Sequence, residues 1–313
     1  MISGYLCAMA KSMQVAWIGT GMMGAPMAGH LLAAGHAVNV HSRTRAKAEL
    51  LLASGARWCD TPAEAASGCD VAFSMVGTPA EVEAVHLGVT GTLRAADPPR
   101  ILVDMSTSSP ELAVRLDESA RMAGSRACDA PVTGGDVGAR NATLSIMVGG
   151  DEASCGLIAP LLGALGKTIV RHGEAGQGQR AKLVNQILIA ATMVGMCEGL
   201  ASARASGLDE QRVLESVGAG AAGSWALANL APRVLKGNLE PGFMVDHFVK
   251  DLGLALAMCE SQGIRLPGVE LAQRLYRQLQ ADGHGRRGTQ ALVLAYPEGR
   301  REPRPLAANP DRG

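Results

Sequence analysis

The sequence of 313 residues has few aromatic side chains and no excess of either charge, and both deficits exclude classes of protein. Phe, Trp and Tyr make up 3% of it, so Ala, Leu, Val, Ile and Met must fill the core. That composition suits packed helices better than a β-sandwich. Lys plus Arg and Asp plus Glu both number 29. A net charge of zero gives no support for a nucleic acid or an anionic membrane as a partner.

Cysteines in C-x-x-C spacing are also missing. The seven cysteines are scattered and odd in number, which argues against a metal site or a disulfide framework. We therefore expect no metal and a reducing cytoplasm as the location. Residues 1–12 lack the apolar core and cleavage site of a signal peptide, and the composition indicates no membrane span. We interpret these residues as an N-terminal extension, unless Met9 or Met13 is the true start.

Near the N-terminus, an apolar run and three glycines form the pattern that organises the chain. Residues 15–18 predict a buried strand, and Gly19, Gly21 and Gly24 follow in G-x-G-x-x-G spacing. Gly19 allows a tight turn, Gly21 lets backbone amides approach a pyrophosphate, and Gly24 permits close helix–sheet packing. An apolar helical pattern over residues 22–34 follows, and a helix N-terminus favours an anion. The stretch therefore predicts a dinucleotide site.

Further along, short apolar runs alternate with helical segments. The predicted strands are 37–41, 70–75, 101–104, 143–148 and 168–170, and the predicted helices are 44–53, 79–85, 110–122 and 151–164. This alternation indicates an α/β fold with an N-terminal Rossmann-type, parallel, doubly wound sheet. Residues 129–135 interrupt it with the composition of a loop.

From residue 181 onward the pattern is purely helical. The predicted helices are 181–206, 209–217, 224–236, 243–262 and 266–281. The first of them is almost uncharged, so we expect it to be buried on most faces. The predicted organisation is an extension (1–12), a NAD(P)-binding Rossmann domain (13–176), an all-helical substrate and oligomerisation domain (177–296) and a disordered tail (297–313).

The end of the second predicted strand bears on cofactor preference. An NAD-preferring site has an acidic residue about 20 positions beyond the glycines, and none occurs here. Ser42, Arg43 and Thr44 stand there instead. An arginine can pair with a 2′-phosphate, and a threonine hydroxyl can add a hydrogen bond. We predict NADP in preference to NAD, which stays possible; the alternative is that Arg43 is a solvated loop residue.

Lys182 is the candidate for proton transfer. It lies one turn into the long apolar helix, where burial can lower the pKa of an amine. Asn185 and Gln186 follow at three and four residues, so all three share one helix face. The alternative is that Lys182 extends to the surface.

Two further features each have two interpretations. Lys250-Asp251 is either part of the site or an ordinary ion pair. Thr133-Gly134-Gly135 is either a nest of backbone amides that binds a carboxylate or a simple turn.

Six stretches, taken together and in order, resemble the β-hydroxyacid dehydrogenase family. They are 18–28, 42–44, 103–107, 129–135, 176–186 and 250–256, and the resemblance extends over residues 13–295. The family includes 3-hydroxyisobutyrate dehydrogenase, tartronate semialdehyde reductase and the glyoxylate/succinic semialdehyde reductases. The resemblance implies hydride transfer between NADP(H) or NAD(H) and a small β-hydroxy acid or semialdehyde. It also implies a homodimer or homotetramer formed through the helical domain.

The same resemblance implies residue roles. Lys182 would be the general acid/base. The cofactor would be held by Gly19, Thr20, Gly21, Met22, Met23, Gly24, Ser42, Arg43, Thr44, Val76, Pro79, Ser106, Thr107 and Lys250. The substrate, a small carboxylate, would be held by Ser106, Thr133, Gly134, Gly135, Asn185, Gln186 and Trp225.

Two alternatives share this scaffold. An imine reductase would have the glycine turn, the Ser-Arg-Thr loop and the helical domain, but such enzymes generally lack the helix lysine and the Gly-Gly loop. A non-catalytic, cofactor-binding interaction module is compatible with the fold as well. The sequence departs from the family pattern at Thr20, where Leu is usual, and at Thr133, where Ser is common.

Overall fold

The computed structural model describes residues 12–296. The predicted extension (apart from Ser12) and the predicted tail therefore lie outside the described residues. Within this range the strands are β1 (Gln14–Ile18), β2 (Ala37–His41), β3 (Arg57–Trp58), β4 (Val71–Ser74), β5 (Ile101–Asp104), β6 (Arg126–Asp129), β7 (Val132–Thr133), β8 (Leu144–Gly149) and β9 (Gly166–Gly173).

The helices of the same range follow in chain order. They are α1 (Gly24–Ala33), α2 (Glu49–Ala53), α3 (Pro62–Ala66), α4 (Pro79–Leu87), α5 (Pro110–Met122), α6 (Gly135–Arg140), α7 (Glu152–Gly163), α8 (Gln177–Ala205), α9 (Glu210–Gly218), α10 (Trp225–Asn229), α11 (Ala231–Leu235), α12 (Val245–Glu260) and α13 (Pro267–Ala281). Short 3₁₀ helices occupy Arg45–Ala48, Thr92–Arg94 and Thr289–Ala295.

The sheet confirms the predicted Rossmann-type domain. Its strands run in the order β3-β2-β1-β4-β5-β6, all parallel, as in dinucleotide-binding folds. The order reverses between β1 and β4, and ligands of such sheets bind outside the carboxyl ends of the strands at this switch point. The apolar runs β1, β4 and β5 are buried along nearly their whole length, as expected for strands covered by helices on both faces.

The far edge of the sheet departs from the prediction in two ways. First, β8 pairs antiparallel with β6 and β7, and only β9 continues parallel to it, so the sheet is not wholly parallel. Second, the prediction that residues 129–135 form a loop is wrong. Val132 and Thr133 pair with Ile146 and Ser145, and a helix begins at Gly135. Tertiary pairing overrides the loop-like composition of this segment.

Other differences are local. The segment 44–53 begins as a 3₁₀ helix before α2, and the segment 224–236 is divided into α10 and α11. Pro232 explains the second break, because a proline in the interior of a helix cannot donate the required hydrogen bond. The short elements β3 and α3 have no counterpart in the prediction.

The chain divides into two compact units. One ends at Leu188 and also includes Asp246–Pro267; the other consists of Ile189–Val245 and the chain from Gly268 onward. The predicted change of character near residue 176 falls between β9 and α8. The first turns of α8 nevertheless belong to the sheet-containing unit, where Leu183 packs in a buried cluster with side chains of α12. That cluster consists of Leu183, Ala255, Met258 and Cys259.

Helix α8 is less buried than its composition predicts. Val184 is 51% exposed and Leu188 64% exposed, and only 39% of its most apolar 18-residue stretch is buried. The expectation of burial on most faces is therefore wrong for the single chain. Among the described residues, α8 alone has the length and mean hydropathy of a membrane span, a criterion that core helices of globular proteins also meet.

Candidate active site

The glycine turn between β1 and α1 is shaped by close backbone approaches. A Cβ at Gly24 would lie 2.0 Å from the carbonyl oxygen of Gly19, and a Cβ at Gly19 would lie 2.3 Å from that of Met75. Gly19 also has a positive φ of 98°. No other residue fits these two positions without moving backbone. The turn therefore needs glycine here for its own geometry, before any ligand is considered.

Gly21 is different, because a Cβ there would meet nothing within 4 Å. Its neighbour Met22 is exposed, and no side chain caps the N-terminus of α1. Open space beside uncapped helix amides suits a pyrophosphate, which the helix dipole also favours. The turn thus fits the dinucleotide. Thr20 is buried within it, and its hydroxyl has no hydrogen-bond partner among the described residues.

Arg43 stands exposed just beyond the end of β2. Its guanidinium lies 2.8 Å from the Glu81 carboxylate, whose other oxygen accepts a 2.7 Å hydrogen bond from the backbone amide of Gly77. Thr44 is also exposed and precedes the 3₁₀ helix. The structure therefore brings Arg43 to the loop of Val76 and Pro79, which follows β4, so the cofactor-binding residues predicted on these two segments are neighbours.

Ser106 is fully buried at the end of β5 and holds this region together. Its hydroxyl accepts a 2.9 Å hydrogen bond from the Val76 amide, and its own amide donates to Asp104 Oδ1 at 3.0 Å. The carbonyl of Ser106 accepts a bond from Gln179 of α8 at 2.8 Å. These contacts make Ser106 a link between the loops after β4 and β5.

A buried polar chain continues beneath Ser106. The Ser74 hydroxyl donates to Asp104 at 2.8 Å, so its oxygen accepts from His86 Nε2, also at 2.8 Å. Nδ1 of His86 then accepts from the Thr92 hydroxyl. Burial lowers the pKa of His86 to about 4, and burial raises the pKa of Asp104 to about 6. The imidazole is therefore neutral near pH 7, as this hydrogen-bond order requires.

Lys182 is buried in the second turn of α8 and is only 6% exposed. The alternative that its side chain extends to the surface is therefore wrong. Burial lowers the pKa of Lys182 to about 8; the Asp251 carboxylate opposes this shift and the Lys250 ammonium adds to it. An amine with this pKa exists in both protonation states near neutral pH, which general acid–base chemistry requires.

A hydrogen-bonded chain of side chains links α8 with α12. Asn185 donates to the Gln186 carbonyl at 2.7 Å, and the Gln186 amide donates to Asp251 Oδ2 at 2.6 Å. The other oxygen of Asp251 lies 2.9 Å from the Lys250 ammonium, which also donates to the carbonyl of Thr107. Lys250 and Asp251 form an ion pair that also engages other elements of the same unit. Gln186 is fully buried in this chain.

The start of α8 is fixed by Asp129, at the end of β6. Its two carboxylate oxygens accept hydrogen bonds of 2.7 Å from the backbone amides of Gly176 and Gln179. The Gln179 side chain in turn bonds Ser106 and Ser108. Asp129 therefore sets the position of the helix that carries Lys182.

We expect Asp129→Ala to reduce the free energy of unfolding by about 3 kcal/mol, because it leaves buried amides without a partner. Urea denaturation measures the loss. Asp151→Ala is the matched control: Asp151 caps α7 through Ser154 at a partly exposed position, and losing such a cap costs about 1 kcal/mol. Equal losses in the two variants would contradict the role assigned to Asp129.

Thr133, Gly134 and Gly135 join β7 to α6 at a half-buried position. Gly134 and Gly135 have positive φ values of 126° and 63°, and no side chain caps the helix that begins there. The paired glycines thus serve the backbone conformation of the turn, and Gly134 at the N-cap offers the helix amides no side-chain partner. Trp225, in the other unit, is 59% exposed at the first position of α10, where the Ser224 hydroxyl caps the helix.

Two families match consecutive parts of the chain. The NAD binding domain of 6-phosphogluconate dehydrogenase matches residues 14–173, and the NAD-binding domain of NADP-dependent 3-hydroxyisobutyrate dehydrogenase matches residues 176–296. The second match, together with the relatives described next, decides the assignment. The chain belongs to the β-hydroxyacid dehydrogenase family. It is an NAD(P)-dependent oxidoreductase, which rules out the alternative of a non-catalytic, cofactor-binding interaction module.

Named relatives of this dehydrogenase are similar over nearly its whole length. A probable mitochondrial 3-hydroxyisobutyrate dehydrogenase-like protein of Arabidopsis thaliana is 47% identical over 90% of this chain and 84% of its own. The 2-hydroxy-3-oxopropionate reductase of Escherichia coli is 37% identical over 90% and 97%. The solved 3-hydroxyisobutyrate dehydrogenase of Mycobacterium tuberculosis, with L-serine, has a TM-score of 0.82 and 30% identity over 91% and 99%.

Imine reductases are more distant. The solved enzyme of Myxococcus stipitatus has a TM-score of 0.60 and 21% identity over 91% of this chain and 99% of its own. A likeness of this degree shows a shared fold alone.

Sequence reasoning missed several residues that organise the dehydrogenase site. Asp129, Gln179 and Asp251 lie in stretches that carry the family resemblance, but no role follows from spacing alone. A signal was available for Gln179 and Asp251, since each is a polar residue beside a glycine or lysine of those stretches, whereas Asp129 lies between Cys128 and Ala130 and gave none. Ser74 and His86 gave no such signal, because a buried polar pair in an apolar strand and a helix becomes visible only when the two elements are packed.

Proposed function

We propose that this dehydrogenase transfers a hydride between NADP(H) and a small β-hydroxy acid or the corresponding semialdehyde, with Lys182 as general acid/base. The observation that carries the proposal is the buried Lys182 itself, whose pKa is lowered to about 8 beside Asp251 and Lys250. The buried amine of Lys182 can carry the proton, and Asn185 on the same helix face is a neutral hydrogen-bond donor.

The remaining roles are those that the family resemblance implies for each group. Backbone amides of Thr133, Gly134 and Gly135 bind the substrate carboxylate, and Asn185 orients the substrate. In oxidation Lys182 removes the hydroxyl proton; in reduction its ammonium protonates the oxygen on which negative charge develops. The bound nicotinamide supplies the hydride donor or acceptor. Gln186 and Lys250 position this machinery through their bonds to Asp251 and Thr107.

A substrate panel tests the proposal. We expect turnover with one or more of 3-hydroxyisobutyrate, tartronate semialdehyde, glyoxylate and succinic semialdehyde, and little turnover with the matched amide of the best of them. The amide keeps the reacting carbon but lacks the carboxylate charge that the backbone amides of residues 133–135 bind. Faster reduction of a cyclic imine than of every semialdehyde would favour the imine reductase alternative instead.

The preference for NADP is part of the proposal. It is supported by Arg43 beyond β2, by the further bases Arg45 and Lys47 and by the lack of an acidic residue at the end of that strand. Arg43→Ala is expected to lower kcat/KM for NADPH about 10- to 100-fold, the equivalent of a hydrogen bond to a charged group, and to leave that for NADH nearly unchanged. Steady-state kinetics with both cofactors measure this.

Glu81→Gln is the matched control for that experiment. It removes the carboxylate that pairs with Arg43 but keeps the guanidinium, so NADPH must compete with one partner fewer. We expect kcat/KM for NADPH to rise or stay equal in this variant. A loss of the NADPH preference in Glu81→Gln, or equal effects of Arg43→Ala on both cofactors, would contradict the assigned role of Arg43.

We also propose a homodimer or homotetramer in a reducing cytoplasm. The exposed Val184 and Leu188 lie four residues apart on α8 and support association through this helix, because large apolar side chains on one face favour a protein contact. The free thiols of the six described cysteines support the reducing location. Sedimentation equilibrium measures the assembly state, and a monomer at micromolar concentration would contradict the first part.

A further inference from the structure

The cysteines are nucleophilic side chains that have no role in the proposed hydride transfer. The structure describes six cysteines, all free, and five of them are buried. Cys155, in the first turns of α7, is partly exposed. It is therefore the described thiol that a small reagent in solution can reach without unfolding of the chain.

Cys155 has a second cysteine beside it. Cys128 lies on β6 and is buried, and Cys155 packs against the core cluster that contains Cys128. Both sulfur atoms border Gly150: a Cβ placed there would lie 2.7 Å from Cys128 Sγ and 3.3 Å from Cys155 Sγ. Because residue 150 is glycine, it places no side chain between the two sulfur atoms.

Arg171 completes this group. Its Nε donates to the Gly150 carbonyl at 3.0 Å, and its terminal nitrogen donates to Glu174 at 2.6 Å, so the guanidinium is fixed from two sides. Its partner Gly150 is the residue that borders both sulfur atoms, so the guanidinium lies near Cys155. A fixed guanidinium beside a partly exposed sulfur, near the start of a helix, is the environment that favours a thiolate.

The charges around the two sulfur atoms separate their acidities. The interaction with the Cys128 thiol and the Arg171 guanidinium lower the pKa of Cys155, whereas burial and the nearby Asp151 carboxylate oppose this. The interaction with the Cys155 thiol, burial and the Asp129 and Asp151 carboxylates raise the pKa of Cys128. Elsewhere burial raises the pKa of Cys69 to about 11 and that of Cys197 to about 12.

We propose that Cys155 is a peroxide-reactive thiolate and that Cys128 is its resolving thiol. The Cys155 sulfur attacks one oxygen of hydrogen peroxide, the O–O bond breaks, and hydroxide leaves and takes up a proton as water. Cys155, oxidised by two electrons, is then a sulfenic acid. The Cys128 sulfur attacks Cys155, its proton leaves with the hydroxyl group as a second water, and a disulfide forms. Two thiols and one peroxide thus give one disulfide and two waters.

Peptide mapping of the complete enzyme tests this proposal. After brief treatment with hydrogen peroxide, we expect a Cys128–Cys155 cross-linked peptide two hydrogens lighter than the two reduced peptides together. In Cys128→Ser, we expect dimedone to trap a sulfenic acid at Cys155. Cys259→Ser, which removes a buried cysteine outside the pair, should form the same cross-link as the unsubstituted enzyme.

A second measurement needs no oxidant and stays informative if the Cys128 variant does not fold. At pH 7, iodoacetamide should alkylate Cys155 at least ten times faster than any of the five buried cysteines. Arg171→Gln should slow that reaction several-fold, and Arg171→Lys should restore part of the rate. Alkylation of Cys155 no faster than of the others, or a persistent oxidised Cys155 with Cys128 still a thiol, would overturn the proposal.

Discussion

Lys182→Ala is expected to lower kcat by about three orders of magnitude or more while the affinity for the cofactor stays nearly unchanged. Positioned proton transfer contributes about 10²- to 10⁴-fold to a rate, and a fixed cation adds electrostatic stabilisation of the developing alkoxide. The glycine turn that fits the pyrophosphate lies between β1 and α1 and is untouched by this substitution. Steady-state kinetics and cofactor titration by fluorescence measure the two quantities.

The pH dependence distinguishes proton transfer from a structural role. Reduction needs the ammonium form of Lys182, so its kcat should fall as pH rises through about 8, the lowered pKa of this amine. Oxidation needs the neutral amine, so its kcat should rise over the same interval. Both transitions should be missing from the residual activity of Lys182→Ala.

Two further variants serve as controls. Lys167→Ala removes an exposed lysine of β9 and should leave kcat unchanged. Lys182→Arg keeps the positive charge but cannot release a proton near neutral pH, so it should be nearly as inactive as the alanine variant. Near-normal turnover in Lys182→Ala would show that another group transfers the proton.

The predicted fold was most accurate where a single pattern had one interpretation. The strand Ile101–Asp104 and the helix Pro110–Met122 have the predicted bounds, because an apolar run and a proline-led helix start leave little choice. The segment 129–135 was misjudged, because its residues favour a loop and only pairing with β8, as between Thr133 and Ser145, makes Val132–Thr133 a strand. A pairing partner twelve residues away is not visible in local composition.

The candidate site was predictable to the extent that each role belongs to one side chain. Lys182 could be singled out, since a charge in an apolar helix needs an explanation. The roles of Asp129 and Asp251 could not, because each depends on hydrogen bonds to atoms 47 or more residues away along the chain. Gln186, predicted to bind substrate, is buried against Asp251. Its predicted contact with substrate stays a prediction, and its contact with Asp251 is what the fold provides.

Gly21→Ala is expected to raise the dissociation constant of the cofactor by about two orders of magnitude without loss of stability. The added methyl group would meet no protein atom within 4 Å, so the turn itself can accept it. It would occupy the space through which backbone amides reach the pyrophosphate, and losing charge-assisted bonds costs about 1.5–3 kcal/mol. Cofactor titration and thermal unfolding of the free enzyme measure the two effects.

Gly24→Ala and Gly156→Ala frame that experiment. Gly24→Ala places a methyl group 2.0 Å from the Gly19 carbonyl oxygen, so it should destabilise the free enzyme and also weaken cofactor binding. Gly156 lies on the exposed face of α7 with nothing within 4 Å of its Cβ position, so Gly156→Ala should leave the dissociation constant unchanged and raise stability by up to about 1 kcal/mol, the difference in helix propensity. The expected pattern is thus loss of binding alone at Gly21 and loss of both at Gly24. An unchanged dissociation constant in Gly21→Ala would mean that the pyrophosphate does not approach this turn. The free protein has room for the methyl group, so only a bound ligand can collide with it.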